Sequence, residues 1–154
     1  TQAYLLGVAD GSLVEKLALV LQSLDCHHAL VVHGEDGLDE ITLTGKTQVC
    51  ELKDGRIESY IISPDDFGLS RTNSLEDLRG GTAEENATML RNILIGSPGP
   101  QRDVVLMNAA AALVAGDKVE TLQPGIVLAG KVIDSGQALA KLEKLIELSR
   151  SFTQ

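Results

Sequence analysis

Glu35, Asp36, Asp39 and Glu40 place four carboxylates within six residues. Like charges at this density repel one another unless something neutralises them, and carboxylate oxygens are natural ligands of a hard cation. Mg2+ in company with a pyrophosphate group is the sharpest reading, because that ion keeps several waters and takes one or two protein carboxylates plus substrate phosphates. A solvated acidic loop is the alternative, since exposed carboxylates need no special explanation. Spacing alone leaves the two open, although it does not match a calcium EF-hand loop.

The elements that must position this cluster are legible on either side of it. Ala29-Leu30-Val31-Val32 is a continuous β-prone run of the kind expected for a strand covered on both faces. The carboxylates follow it directly, and in open α/β sheets the carboxyl edge of the strands is where ligands bind. Upstream, Gln2 to Val8 reads as a short buried strand. Ser12 with Glu15 makes a capping box, and Leu13, Val14, Leu17, Val20, Leu21 and Leu24 form one apolar helical stripe. Strand, helix and strand in this order predict a βαβ unit.

Downstream the texture changes. Thr47 to Lys53 and Arg56 to Ile62 flank Asp54-Gly55, which supplies the positive φ angles of a tight hairpin, so an antiparallel excursion is expected. Ser63 to Gly68 reads as a surface turn and Ser74 to Leu78 as a short helical turn ended by Gly80-Gly81. Thr82 and Glu85 repeat the capping-box signature before the stripe Met89, Leu90, Ile93 and Leu94. Asp103 can cap a helix over 104–115 that is apolar throughout except at Asn108, which places it in the middle of a folded domain. Leu122 to Leu148 reads as one interrupted helix or two. The expected fold class is α/β: a mostly parallel sheet with an antiparallel hairpin excursion and a helical C-terminal half.

Other reactive side chains carry less. His27, His28 and His33 have no further His or Cys at zinc spacing, and His33 is expected to shape the strand end. Cys50, with no basic neighbour in sequence, reads as a structural thiol. Asn108, if buried, must find a hydrogen-bond partner, which favours tethering over catalysis. Arg79, Arg91 and Arg102 are assigned to solvent or ion pairs. The 154 residues suit one domain, and 13 Lys and Arg against 22 Asp and Glu give a net charge of −9 that repels nucleic acid and anionic lipid. The longest strongly apolar run, Val104 to Ala115, is too short to span a bilayer, and two unpatterned cysteines fit a reducing, cytoplasmic setting.

His33-Gly34-Glu35-Asp36-Gly37-Leu38-Asp39-Glu40 resembles the V-H-G-x-D-G-x-D-E segment of the anthranilate phosphoribosyltransferases. Leu5-Leu6-Gly7-Val8, Leu69, Leu78-Arg79-Gly80-Gly81, Glu85-Asn86-Ala87, the run from Arg102 to Leu113 and Ile133-Asp134-Ser135-Gly136 stand in the order that family shows. The resemblance covers essentially the whole chain. It implies a partial domain of the nucleoside phosphorylase and phosphoribosyltransferase type, with 1–154 as the C-terminal portion of the α/β catalytic domain. It also implies that Asp39 and Glu40 bind the Mg2+ accompanying phosphoribosyl pyrophosphate, while Glu35 and Asp36 are outer-shell or merely solvating. The implied partners are phosphoribosyl pyrophosphate and anthranilate, in a homodimeric complete enzyme of tryptophan biosynthesis.

The departures are as informative. The family's glycine-rich G-T-G-G-D phosphate loop, its Asn-Ser-Thr segment, its anthranilate contacts and its helical N-terminal domain have no counterpart here, and Gly80-Gly81 lacks the flanking Thr and Asp. The chain opens on Thr1, so we expect an upstream part to be missing, the isolated chain to be inactive and its cut edge to promote self-association. Two alternatives remain at this level: a pyrimidine-nucleoside phosphorylase-like paralogue, and a non-catalytic acidic cation-binding module.

Overall fold

The computed structural model describes residues 3–72 and 74–152. Strands β1 (Ala3–Gly7), β2 (His28–Gly34), β3 (Thr47–Lys53) and β4 (Arg56–Ile62) form one sheet in the order β1-β2-β3-β4. β1 and β2 are parallel, with Ala3 opposite His28 and Gly7 opposite Val32. β2 and β3 are antiparallel, as are β3 and β4. The α/β class and the hairpin stand as expected, with Asp54 at φ 49° and Gly55 at φ 74° in its turn. The balance of the sheet is a correction: among the described residues antiparallel pairing predominates over the expected mostly parallel arrangement. The cause is the link between β2 and β3. A parallel neighbour needs a crossover, usually helical, whereas residues 35–46 contain no helix and return the chain at the same sheet edge, where Gly34 pairs with Thr47. Of the expected first strand, Gln2 lies outside the described residues, Ala3–Gly7 is at most partly buried, and Val8, just past the observed strand, is buried.

β2 is covered on both faces, as its apolar run predicts. On one side α1 (Val14–Ser23) packs Val14 and Ala18 against Val31 and Cys50. The expected stripe on α1 is narrower than its sequence suggested, for Leu13, Val20 and Leu24 are exposed while Leu17 and Leu21 join the packing. Its entry also differs: instead of a Ser12–Glu15 box, the Asp10 carboxylate accepts the Ser12 N–H at 2.9 Å and opens a 3-10 turn over Gly11–Leu13.

The other face holds the larger core. Helix α2 (Ala83–Leu94) precedes α3 (Pro100–Ala115), α4 (Leu122–Asp134) and α5 (Gln137–Ser151). α3 lies against β1 and β2 and buries Leu106, Met107, Ala110 and Ala111 on Leu30, Val32 and Val49. It starts at Pro100 rather than after Asp103, because proline needs no amide partner in a first helical turn. α4 crosses α3 closely: a Cβ on Gly125 would stand 2.9 Å from the Ala110 Cβ. The Thr82–Glu85 box caps α2 as expected, although Ile93 alone of its stripe is buried and Leu90 is exposed. Gly136, at φ 76°, resolves the last segment into two helices, α4 and α5. Among the described residues no helix is long and apolar enough to cross a membrane.

Candidate metal-binding cleft at the carboxyl edge of the sheet

Because β1 and β2 are parallel, their carboxyl ends, Gly7 and Gly34, share one edge of the sheet, and the acidic loop 35–46 leaves from it. Two of its residues pin it down. Ile41 and Leu43 are fully buried in the larger core, each contributing roughly 1.5–3 kcal/mol. Asn108 reaches out of α3 to the backbone of Ile41, its Oδ1 accepting the Ile41 N–H at 2.9 Å and its Nδ2 donating to the Ile41 carbonyl at 2.9 Å. The same Nδ2 donates to Val104 O at 3.0 Å. Asn108, the one polar residue within 104–115, is thus a tether, as its position predicts.

The four carboxylates divide into two kinds. Asp36 is an internal anchor: the Thr42 and Thr44 hydroxyls both donate to its Oδ2, and the Leu38 N–H donates to Oδ1 at 3.1 Å. Burial opposes its charge, yet these donors outweigh burial and hold the carboxyl below its ordinary range. Glu35 accepts the Lys46 N–H at 3.1 Å and braces the loop's return. Neither is merely solvating, which corrects that part of the expectation, since both are taken up in shaping the loop.

Asp39 and Glu40 are exposed, and no described residue engages either carboxylate in a hydrogen bond or ion pair. Both line a cavity of about 440 Å³ whose walls include Leu5, Gly7, Val104 and Asn108. Both also line an adjoining cavity of about 380 Å³, together with Leu75, Glu76, Leu78 and Arg79. Arg79, set aside from sequence as an ion-pair residue, does pair with Glu76 at 2.7 Å, but the fold also brings it into the cleft that the acidic pair faces. Its position depends on the 3-10 turn Leu75–Leu78, which no local spacing ties to residues 39 and 40.

Gly7 is a second residue that the sequence did not single out for the site. A Cβ there would stand 1.5 Å from the Asp39 carbonyl oxygen, so the strand end and the acidic loop touch backbone to backbone. Only a glycine ending an apolar run signalled it, and that signal says nothing of what lies opposite.

The donor set fits a hard cation with few protein ligands. Among the described residues no group of three or more His, Cys, Asp or Glu side chains could hold a metal ion alone. A cation at Asp39 and Glu40 must complete its shell with water and substrate oxygens, which is the habit of Mg2+ and not of structural zinc.

The histidines take no part. His33 Nδ1 lies 2.8 Å from the Val8 carbonyl and ties β2 to the turn after β1, in keeping with its expected role at the strand end. His28 is fully buried at the opposite edge, with Nδ1 2.9 Å from Asp117 and Nε2 2.8 Å from Glu51. Cys26 and Cys50 are buried thiols, not joined in a disulfide.

The model of the glycosyl transferase family, α/β domain, matches residues 1–139. The chain belongs to that family. Among its glycosyl transferase relatives, the anthranilate phosphoribosyltransferase of Symbiobacterium thermophilum is 53% identical over 96% of this chain and 43% of its own length. That of Methanobrevibacter smithii is 49% identical over 95% of this chain and 43% of its own. The crystal structure of anthranilate phosphoribosyltransferase from Thermus thermophilus superposes with a TM-score of 0.87 at 39% identity, covering 97% of this chain and 44% of that one. The Saccharomyces cerevisiae enzyme in complex with PRPP and Mg superposes with a TM-score of 0.83 at 28% identity, covering 96% of this chain and 42% of that one. The chain therefore spans less than half the length of the relatives it matches.

Proposed function

We propose that this chain supplies the metal-holding part of an anthranilate phosphoribosyltransferase, with Asp39 and Glu40 as Mg2+ ligands. The observation that carries the reading is the exposure of these two carboxylates, without partners among the described residues, where two cavities meet at the sheet's carboxyl edge. In this reading phosphoribosyl moves from phosphoribosyl pyrophosphate to the amine of anthranilate in tryptophan biosynthesis, and pyrophosphate leaves; the relatives named anthranilate phosphoribosyltransferase, and the Saccharomyces cerevisiae enzyme in complex with PRPP and Mg, support it. When bound, Mg2+ would neutralise charge on the departing pyrophosphate oxygens. Asp39 and Glu40 would hold it, Asp36 and Glu35 would hold the loop, and Arg79, ion-paired with Glu76 on the wall of the second cavity, would bring a guanidinium towards the anionic leaving group. Such a site works by positioning and electrostatics, without a covalent intermediate on the protein.

In this reading 1–154 is the C-terminal portion of the catalytic domain, and the phosphate loop and anthranilate contacts belong to sequence outside it. The segment alone would be inert. It would also self-associate, because β1 has a strand partner on one side among the described residues and Leu19, Val20, Leu24, Leu145, Leu148 and Phe152 are exposed. A cytoplasmic setting fits its acidic surface and two buried thiols. The test uses the complete enzyme: Asp39→Asn with Glu40→Gln should cut Mg2+-dependent anthranilate consumption severely while circular dichroism and melting stay native. Normal turnover at ordinary Mg2+ would remove both residues from the site. Anthranilate turnover by the isolated segment would refute the division of labour.

A further inference from the structure

We propose that Asn108 is a positioning residue for the acidic pair: by clamping both backbone groups of Ile41, it fixes the direction in which Asp39 and Glu40 present their carboxylates. The inference rests on the Mg2+ reading above and deepens it. Ile41 follows Glu40 directly, so whatever fixes the Ile41 peptide groups fixes the chain direction out of the pair. No strand performs this task, since residues 35–46 lie outside the sheet. Asn108 replaces the missing strand neighbour, accepting from Ile41 N and donating to Ile41 O, each at 2.9 Å. The third bond, Nδ2 to Val104 O at 3.0 Å, orients the carboxamide against its own helix. Both amide hydrogens and one lone-pair direction are therefore used, and although Asn108 lines the 440 Å³ cavity it has no donor left for a ligand there. Its influence must pass through the loop.

Two further features make the clamp rigid. α3 is immobilised by Leu106, Met107, Ala110 and Ala111 in the core, and the Ile41 side chain is fully buried beside them. On the opposite side the Asp39 carbonyl meets Gly7 at a distance that admits no side chain. The pair is thus held from both flanks by backbone contacts, while no described residue engages its side chains. Mg2+ demands near-ideal octahedral geometry, so loosening one flank should weaken metal use before it disturbs anything else in the site.

The test compares Asn108→Leu and Asn108→Asp with wild type in the complete enzyme, measuring turnover against Mg2+ concentration at one fixed, saturating level of both substrates, and melting without Mg2+. The leucine keeps the volume and loses every hydrogen bond; the aspartate keeps an acceptor for Ile41 N–H and loses both donors. The half-saturating Mg2+ concentration should rise about tenfold or more for leucine and less for aspartate, with turnover recovering towards wild type at high Mg2+. A merely structural role would lower the melting temperature and leave that concentration unmoved, which overturns the proposal. It is equally overturned if neither variant folds, for Asn108 would then be a requirement of the core. Asp39→Asn with Glu40→Gln serves as the control: if it leaves the Mg2+ dependence unchanged, the metal reading itself has failed, whatever the Asn108 variants do.

Discussion

At the amino end of β2, His28 sits between Glu51 and Asp117 at 2.8 and 2.9 Å, and Tyr60 donates to the second Glu51 oxygen at 2.9 Å. His27 closes the cluster, reaching Asp117 at 3.3 Å and Asp54 at 3.2 Å. At the carboxyl end of the same strand, Asp39 and Glu40 have no such partners among the described residues. Both ends concentrate carboxylates, and the amino end adds two imidazoles that lack zinc spacing in the sequence. The side-chain partners separate the two ends. Carboxylates answered by imidazole and phenol joining β2, β3, β4 and the α3–α4 turn are structural, whereas carboxylates kept rigid at the backbone and unanswered at the side chain are available to a ligand. The phenol illustrates the structural case: burial first, then the Glu51 charge, keep Tyr60 protonated well above its ordinary range.

The sharpest way to break the contrast is to damage each end in the complete enzyme and compare turnover with stability. Neutralising Asp39 and Glu40 together should reduce turnover on the order of 10²–10³-fold with little change in melting. Gly7→Ala should follow, since the added Cβ forces the Asp39 backbone to move; a displacement near an ångström costs on the order of 10²-fold in rate. Unlike the paired neutralisation, it should also lower stability, by about 1–3 kcal/mol of overpacking. Gly7→Ala with native kinetics would mean that the strand end does not position the loop. At the other end, His28→Leu removes the ring nitrogens that face Glu51 and Asp117 and should destabilise by about 1–3 kcal/mol. Turnover per folded molecule should stay as in wild type, and a kinetic defect there would erase the distinction between the two ends.

How much of this could be read from the residues depends on the range of the interactions. The buried strand at Ala29 to Val32, the Asp54-Gly55 hairpin and the Thr82–Glu85 cap are local patterns, and each is present in the fold. The acidic pair was legible as a motif because its residues are adjacent in the chain. What local patterns cannot carry is the long-range contact: Gly7 against Asp39, Asn108 against Ile41 and Arg79 opposite Glu40 each join segments with no shared periodicity. The sheet's pairing differs from the expected one for a related reason. Apolar runs mark strands but not their direction, which here follows from a helix-free link between β2 and β3. The Ser12–Glu15 box lost to Asp10 because an earlier carboxylate already satisfied the amide at the turn.

The smallest effect separates Asp36 from its acidic neighbours by pH. Its carboxyl is held below the ordinary range in the folded chain, because the Thr42, Thr44 and Leu38 donors overcome the burial that opposes its charge. A depressed folded-state value means that ionised Asp36 stabilises the fold above the unfolded value, near pH 4, and that this contribution is lost as pH falls through the folded value. Asp36→Asn should therefore cost stability at neutral pH, by about 1 kcal/mol or less, and make unfolding less sensitive to pH on the acid side. Asp117 shares the direction of shift, with its hydrogen bond to His28 as the largest cause, so the acid limb must be measured as a difference between wild type and the single variant. Urea unfolding of the complete enzyme from pH 6 to 3 provides it. A wild-type-to-variant gap that shrinks with acid identifies Asp36 as the charged anchor of the loop. A gap that stays constant would place its role in shape alone, and the proposed division of the four carboxylates into two anchors and two metal ligands would lose its electrostatic half.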